Sequence, residues 1–294
     1  MKIALLSIFY LSALCSFAQQ LILPVQDLDP KNFEHVKSKN VQEDIEYHFL
    51  DSLLFQRIRY QSDGQEVEAY IVRPKTDQIL PIVLFNRGGN RHYFEIGERT
   101  LTDWIAPIAR QGFAIFATQY REQDEFGGKD LQDVFHLLDL AKQQNYVDSN
   151  KIGMVGWSRG GMMTYLSLKM RTDIDCAVIG GAPSDLLKLI EERPKMDLLF
   201  EKLIPNYREH QQVELQKRSP IYWAEQLHPC QLLLMHGDQD QRVSVQHTHR
   251  LSDKLKSLGY PHKTLIFEGD DHILRNHHQE KDRMIGQWLR QHLY

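Results

Sequence analysis

The sequence predicts an α/β fold: a mostly parallel, twisted sheet with helices on both faces, an antiparallel N-terminal hairpin at one edge and a small helical cap. Three observations carry this. From about residue 79 to the C-terminus, short apolar runs of strand length alternate with segments of helical period, the pattern left by crossover helices winding a parallel sheet. Asp63-Gly64 joins two alternating strand-like runs, a strong hairpin cue. Finally, the apolar run Ile152–Val155 passes through Gly156-Trp157-Ser158-Arg159-Gly160-Gly161 into a helical pattern, which reads as a strand turning sharply into a helix.

Length and composition fit this. The chain has 294 residues, 42% hydrophobic and 25% charged, suiting one large domain with a decorated N-terminus. Its formal net charge of −4 is too near neutral to favour nucleic acid or an anionic membrane as partner.

Taken in order, Met1-Lys2 is a short basic start, Ile3–Phe17 is mainly apolar, and Ser16-Phe17-Ala18 offers a small-x-small cleavage site. These features read as a secretory signal peptide cut after Ala18, giving a secreted or periplasmic protein. The apolar run falls short of the roughly 20 residues that span a bilayer, and Leu14 stands where a lipoprotein Cys15 would need a small residue. No stable membrane association is expected. Residues 19–51 are polar and mixed, an extension packed outside the main domain (52–294), with room for a short helix and no chemistry of its own.

Leu53–Tyr60 and Glu66–Val72 are the hairpin strands. Ile79–Phe85 reads as a buried strand running into the loop Asn86–Arg91, and Thr100–Gln111 as a helix stopped by Gly112. Phe113–Thr118 is another strand, followed by a polar loop, Tyr120–Lys129. Leu131, Val134, Phe135, Leu138 and Ala141 mark an amphipathic helix. After the central strand, Met162, Met163, Tyr165, Leu166 and Leu168 give its helix, and Cys176–Gly181 a further strand. Residues 185–228 break the rhythm. They are helix-prone and read as an inserted cap, with plain peripheral helices as the alternative. Gln231–Met235 and Lys263–Phe267 are the last strands, and Met284, Ile285, Trp288, Leu289 and Leu293 form the stripe of a closing helix. Cys176 and Cys230 lie near strand starts, where bridging geometry is uncommon. Two buried thiols are expected, although export would permit a disulfide.

The chemistry centres on Gly156-x-Ser158-x-Gly160, a nucleophile elbow in its required strand–turn–helix context. A serine at the tip of so sharp a turn leaves room only for very small residues two positions before and after it. The turn also aims the free amides of a helix N-terminus at the place where an oxyanion would form. A serine hydroxyl needs an oriented base to become nucleophilic. Two loops leaving strand C-termini offer partners: His236-Gly237-Asp238-Gln239-Asp240-Gln241-Arg242-Val243, and Glu268-Gly269-Asp270-Asp271-His272. Asp240 is preferred over Asp238, which follows the His-Gly pair closely enough to brace its turn. His272 alone among the histidines sits just after the final strand. His277 and His278 lack the ligand spacing of a zinc site, and no metal or cofactor is implied.

The order Ser158, Asp240, His272 is that of an α/β-hydrolase. Beyond the order, the chain resembles the catalytic domain of the prolyl oligopeptidase family. The matching stretches are Ser62-Asp63-Gly64, Gly156-Trp157-Ser158-Arg159-Gly160-Gly161, Ser219-Pro220-Ile221, His236-Gly237-x-x-Asp240-x-x-Val243 and His272. The resemblance implies Ser158 as nucleophile, His272 as general base and acid, and Asp240 as orienter of the imidazole. One oxyanion donor is then the backbone amide of Arg159. The second comes from the loop after Phe85: an amide of Gly88 or Gly89, or the side chain of Arg87, which stands where family members often carry tyrosine or histidine. Many members also carry a β-propeller ahead of this domain. Only about thirty residues lie between Ala18 and the hairpin, so recognition of a free peptide N-terminus by propeller acids is not carried over.

The expected function is a secreted serine hydrolase of prolyl-oligopeptidase type, cleaving small peptide substrates through an acyl-enzyme. A carboxylesterase on small acyl or sugar esters is the alternative, and a non-catalytic binding protein the third reading. Arg159 and Arg87, in two loops flanking the nucleophile, would together favour a substrate carboxylate near the scissile bond.

Overall fold

A computed structural model describes residues 23–37, 47–90 and 93–294. The expected signal peptide and Arg91 lie outside the described residues. Among these, nine strands form one sheet in the order β1-β2-β3-β5-β4-β6-β7-β8-β9. They are β1 (Leu23–Leu28), β2 (Leu53–Ser62), β3 (Gln65–Pro74), β4 (Leu80–Asn86), β5 (Ala114–Thr118), β6 (Val147–Trp157), β7 (Cys176–Gly180), β8 (Gln231–Gly237) and β9 (His262–Phe267). Strands β1 to β3 are antiparallel, and β3 joins β5 antiparallel. Strands β4 to β9 run parallel.

Asp63 and Gly64 both take positive φ at the hairpin tip, which explains the Asp-Gly pair there. The extension departs from the sequence reading. It contributes an edge strand, β1, paired to β2, as well as the short helix α1 (Glu34–Lys37). Six polar-interrupted residues carry too little period-2 signal to betray a strand that borrows its order from β2.

Ten helices are described: α1, α2 (Glu98–Thr100), α3 (Ala106–Ala109), α4 (Asp130–Ala141), α5 (Arg159–Met170), α6 (Leu186–Glu192), α7 (Lys195–Leu203), α8 (Tyr207–Lys217), α9 (Gln246–Ser257) and α10 (His278–Leu293). A π-helical turn, Leu101–Ile105, joins α2 to α3 just ahead of Pro107, whose missing N–H interrupts the ordinary ladder. Helix α9 went unread in the sequence. Its buried side is narrow, formed by His247, Thr248, Leu251 and Leu255, and half of that stripe is polar.

The central strands show why both faces need helices. Ile82, Leu84, Met154, Leu232 and Leu234 pack into a core with α4, α5, α9 and the 186–227 segment. Their neighbours Val83, Phe85, Val155, Leu233 and Met235 pack into a second core with α3 and α10. Alternate residues thus serve opposite faces, and both sets must be apolar because the parallel strands are covered twice. Cys176 and Cys230 are free and buried.

Candidate active site

The turn between β6 and α5 carries Ser158 at φ 57° and ψ −123°. This backbone conformation is costly for any residue with a side chain and persists only when its surroundings impose it. The surroundings are tight. A Cβ at Gly160 would fall 1.8 Å from the backbone oxygen of Asn86, and one at Gly156 would fall 2.3 Å from that of Gly160. The amide of Ser158 donates to the oxygen of Gly180 (2.8 Å), tying the turn to β7.

Asp240 and His272 leave the C-terminal ends of β8 and β9. Nδ1 of His272 donates to Oδ2 of Asp240 at 2.6 Å. Oδ1 of the same carboxylate accepts the amides of Arg242 (2.7 Å) and Val243 (3.0 Å). A second histidine completes the cradle. Nε2 of His236 donates to Oδ2 of Asp240 (3.0 Å) and to the oxygen of Val243 (2.9 Å), while its Nδ1 accepts from Oγ1 of Thr248 (2.6 Å). The Val243 carbonyl can only accept, and this fixes the His236 tautomer. Burial alone would raise the pKa of Asp240. Its hydrogen bonds from His236, His272 and Val243, with the charge of His272, outweigh burial and hold it below the usual carboxylate range. Asp238 braces the turn instead, accepting the amide of Gly269 at 2.8 Å.

Ser158 and His272 line one cavity of about 900 Å³, within the size range of small-molecule and cofactor pockets. Its walls come from the loop after β4, from α2, from the loop after β8, and from Leu189, Met196 and Leu199 in the inserted helices. Glu34 of α1 also reaches it, so the extension, read as carrying no chemistry, supplies part of the wall. No sequence signal marked it. Trp157 was equally silent as a motif residue. Its indole Nε1 donates to the backbone oxygen of His272 (2.7 Å), linking the elbow to the histidine loop. Among the described residues, no group of three His, Cys, Asp or Glu side chains is placed to hold a metal ion.

The expectation that Arg159 and Arg87 meet a substrate carboxylate fails on partners. The Arg159 side chain is 2% exposed and is ion-paired with Asp124 and, at 2.5 Å, with Asp130. It also donates to the oxygen of Gly89 (3.1 Å) and lies against the rings of Tyr120 and Phe126. Burial would lower the pKa of Arg159, yet the two carboxylates raise it. Asp124, in the stretch read as a polar loop, and Asp130, the first residue of α4, therefore neutralise it. The guanidinium of Arg87, likewise buried, donates to the oxygens of Gln119 (2.7 Å) and Gly88 (3.1 Å). Gly88 itself packs on Ser158. A Cβ there would stand 3.3 Å from Cβ of Ser158.

Comparison with known proteins agrees with this architecture. The prolyl oligopeptidase family model matches residues 108–294. An uncharacterized peptidase of Bacillus subtilis, YtmA, is 29% identical over 241 residues, covering 79% of this chain and 92% of that protein. The human acylamino-acid-releasing enzyme is 24% identical over 270 residues, 78% of this chain but 34% of its own length. Among solved structures, Pyrococcus horikoshii acylaminoacyl peptidase superposes with a TM-score of 0.72 at 19% identity, covering 87% of this chain and 44% of that one. A Mycobacterium tuberculosis puromycin-hydrolyzing peptidase gives 0.67 at 20% identity, covering 82% and 40%. The chain thus spans nearly all of YtmA but less than half of these longer peptidases. Its matched C-terminal two-thirds and its α/β-hydrolase architecture make it an enzyme of the serine-peptidase class that belongs to the prolyl oligopeptidase family.

Proposed function

We propose that the protein is an exported serine peptidase that cleaves short peptides through an acyl-enzyme on Ser158. The observation carrying this reading is the hydrogen bond to Asp240 made by His272, which lines the same cavity as the strained Ser158. With Asp240 holding a proton on Nδ1, Nε2 of His272 is the basic nitrogen. It takes the Ser158 proton as Oγ adds to the scissile carbonyl. It then delivers that proton to the leaving amine as the C–N bond breaks. Water attacks the resulting ester, giving its proton to His272, and Oγ recovers a proton as the acyl group leaves. The charge of Asp240 stabilises each imidazolium so formed.

The developing oxyanion needs donors that are already in place. We assign the amide of Arg159, at the start of α5, and an amide of Gly88 or Gly89. Arg87 has a supporting role. Its guanidinium fixes the oxygen of Gly88, and in a trans peptide the N–H of the next residue points the opposite way. The peptidase names of the relatives and the apolar side chains among the cavity walls support a short peptide substrate. The pattern from Met1 to Ala18 supports export.

Labelling with a fluorophosphonate, followed by mass mapping, tests the reading. The adduct is expected on Ser158 and absent from the His272→Ala and Ser158→Ala variants, with matched peptide anilides turned over by the wild type. Folded protein that takes no label, or takes it elsewhere, overturns the assignment. Labelling with turnover of short acyl esters alone would shift it to an esterase.

A further inference from the structure

We propose that Arg193 and Arg242 form an anion subsite on the wall of the Ser158 cavity, so that preferred substrates present a carboxylate beside the scissile bond. This rests on the peptidase reading above. Arg193 follows the last residue of α6, and Arg242 lies two residues after Asp240. Both line the same cavity as Ser158 and His272.

Both arginines are tethered to the wall, although Arg242 is exposed. Nη1 of the half-buried Arg193 donates to the backbone oxygen of Arg242 (2.9 Å). The guanidinium of Arg242 lies over the ring of Phe94, 5.7 Å from its centroid. Each head group is therefore held against the wall. Among the described residues, neither is ion-paired with a carboxylate. The acids nearest in sequence are engaged elsewhere: Glu191 with Lys188 (3.0 Å), Glu192 with His247 (3.3 Å), and Asp240 with His236 and His272. Arg87 and Arg159 have their own partners. Arg99 follows Glu98 in a segment that also gives Glu95 and Asp103 to the wall.

Two cations with no carboxylate within ion-pair distance among the described residues, beside the apolar Leu189, Met196 and Leu199, favour an anion from the ligand. A guanidinium fork matches a carboxylate by paired hydrogen bonds, and the apolar neighbours weaken screening by water. The carboxylate can be a peptide C-terminus or an Asp or Glu side chain, since the chemistry is shared.

The test is calorimetric binding to the full chain carrying Ser158→Ala, which removes cleavage from the measurement. N-acetyl-trialanine is offered as free acid and as amide, and the amide is offered with a central glutamate or glutamine. One acidic member is expected to bind about tenfold more tightly than its neutral twin, the scale of one charge-assisted contact. The pair showing the difference identifies the source of the carboxylate. The advantage should shrink with added salt and vanish when Arg193→Gln and Arg242→Gln are combined. Arg242→Gln alone, at an exposed side chain, should reduce it without a folding defect. Equal affinities within both pairs, no binding by any of the peptides, or an advantage that survives the double substitution overturns the proposal. Failure of the peptidase reading registers separately, as wild-type Ser158 that takes no fluorophosphonate.

Discussion

Arg159→Met removes one guanidinium from the interior, and its first effect is expected on stability. Asp124 and Asp130, its ion-pair partners, are 1% and 0% exposed at the side chain. Breaking a buried ion pair by deleting one partner costs about 3–5 kcal/mol, because a charge stays behind in a poorly solvating place. The lost hydrogen bond to the oxygen of Gly89 adds about 1 kcal/mol. At about 2–4 °C per kcal/mol for a domain near this size, the melting temperature should fall by roughly 10 °C. Thermal melts of wild type and variant at matched pH and salt measure this. A shift under about 2 °C would refute the structural role of Arg159. Unchanged stability with lost activity on acidic substrates would instead restore Arg159 to substrate binding.

Two further substitutions probe the site itself. Asp240→Asn takes the charge from an oxygen that holds both His272 and His236; turnover should fall by about 10⁴ through a misplaced tautomer, and a loss under tenfold would contradict the orienting role. Because the folded pKa of Asp240 is lowered, its ionised form stabilises the fold above the unfolded value of about 4, and that contribution is lost only as pH falls through the folded value. The variant should therefore lose part of the acid limb seen in wild-type unfolding curves. Trp157→Phe deletes the donor to the His272 carbonyl but keeps an aromatic ring. Fluorophosphonate labelling should slow by about tenfold or more, since small misplacements of a catalytic group are costly, and an unchanged labelling rate would remove Trp157 from the positioning of His272.

The sequence by itself determined the fold class and the elbow. Buried parallel strands must be apolar throughout, and a strained turn must be flanked by glycines, so both leave local marks. The Asp-Gly tip of the hairpin, the run into Ser158 and the stripe of α10 are all of this kind. Order along the chain also singled out Asp240 and His272, because a parallel sheet brings the ends of successive strands to one edge. Tertiary structure decided the rest. Whether Arg159 faces substrate or an internal counter-charge depends on Asp124 and Asp130, both distant in sequence from the elbow, the first in a loop that looks merely polar and the second at the start of α4. That His236 grips Asp240, that Trp157 holds the His272 loop, and that Glu34 reaches the cavity are also pairings between distant segments. Strand β1 exists only because β2 offers it an edge. Local composition records what a residue's own backbone and burial require; it does not record which distant side chain supplies the partner, and in this site the partners assign the charges.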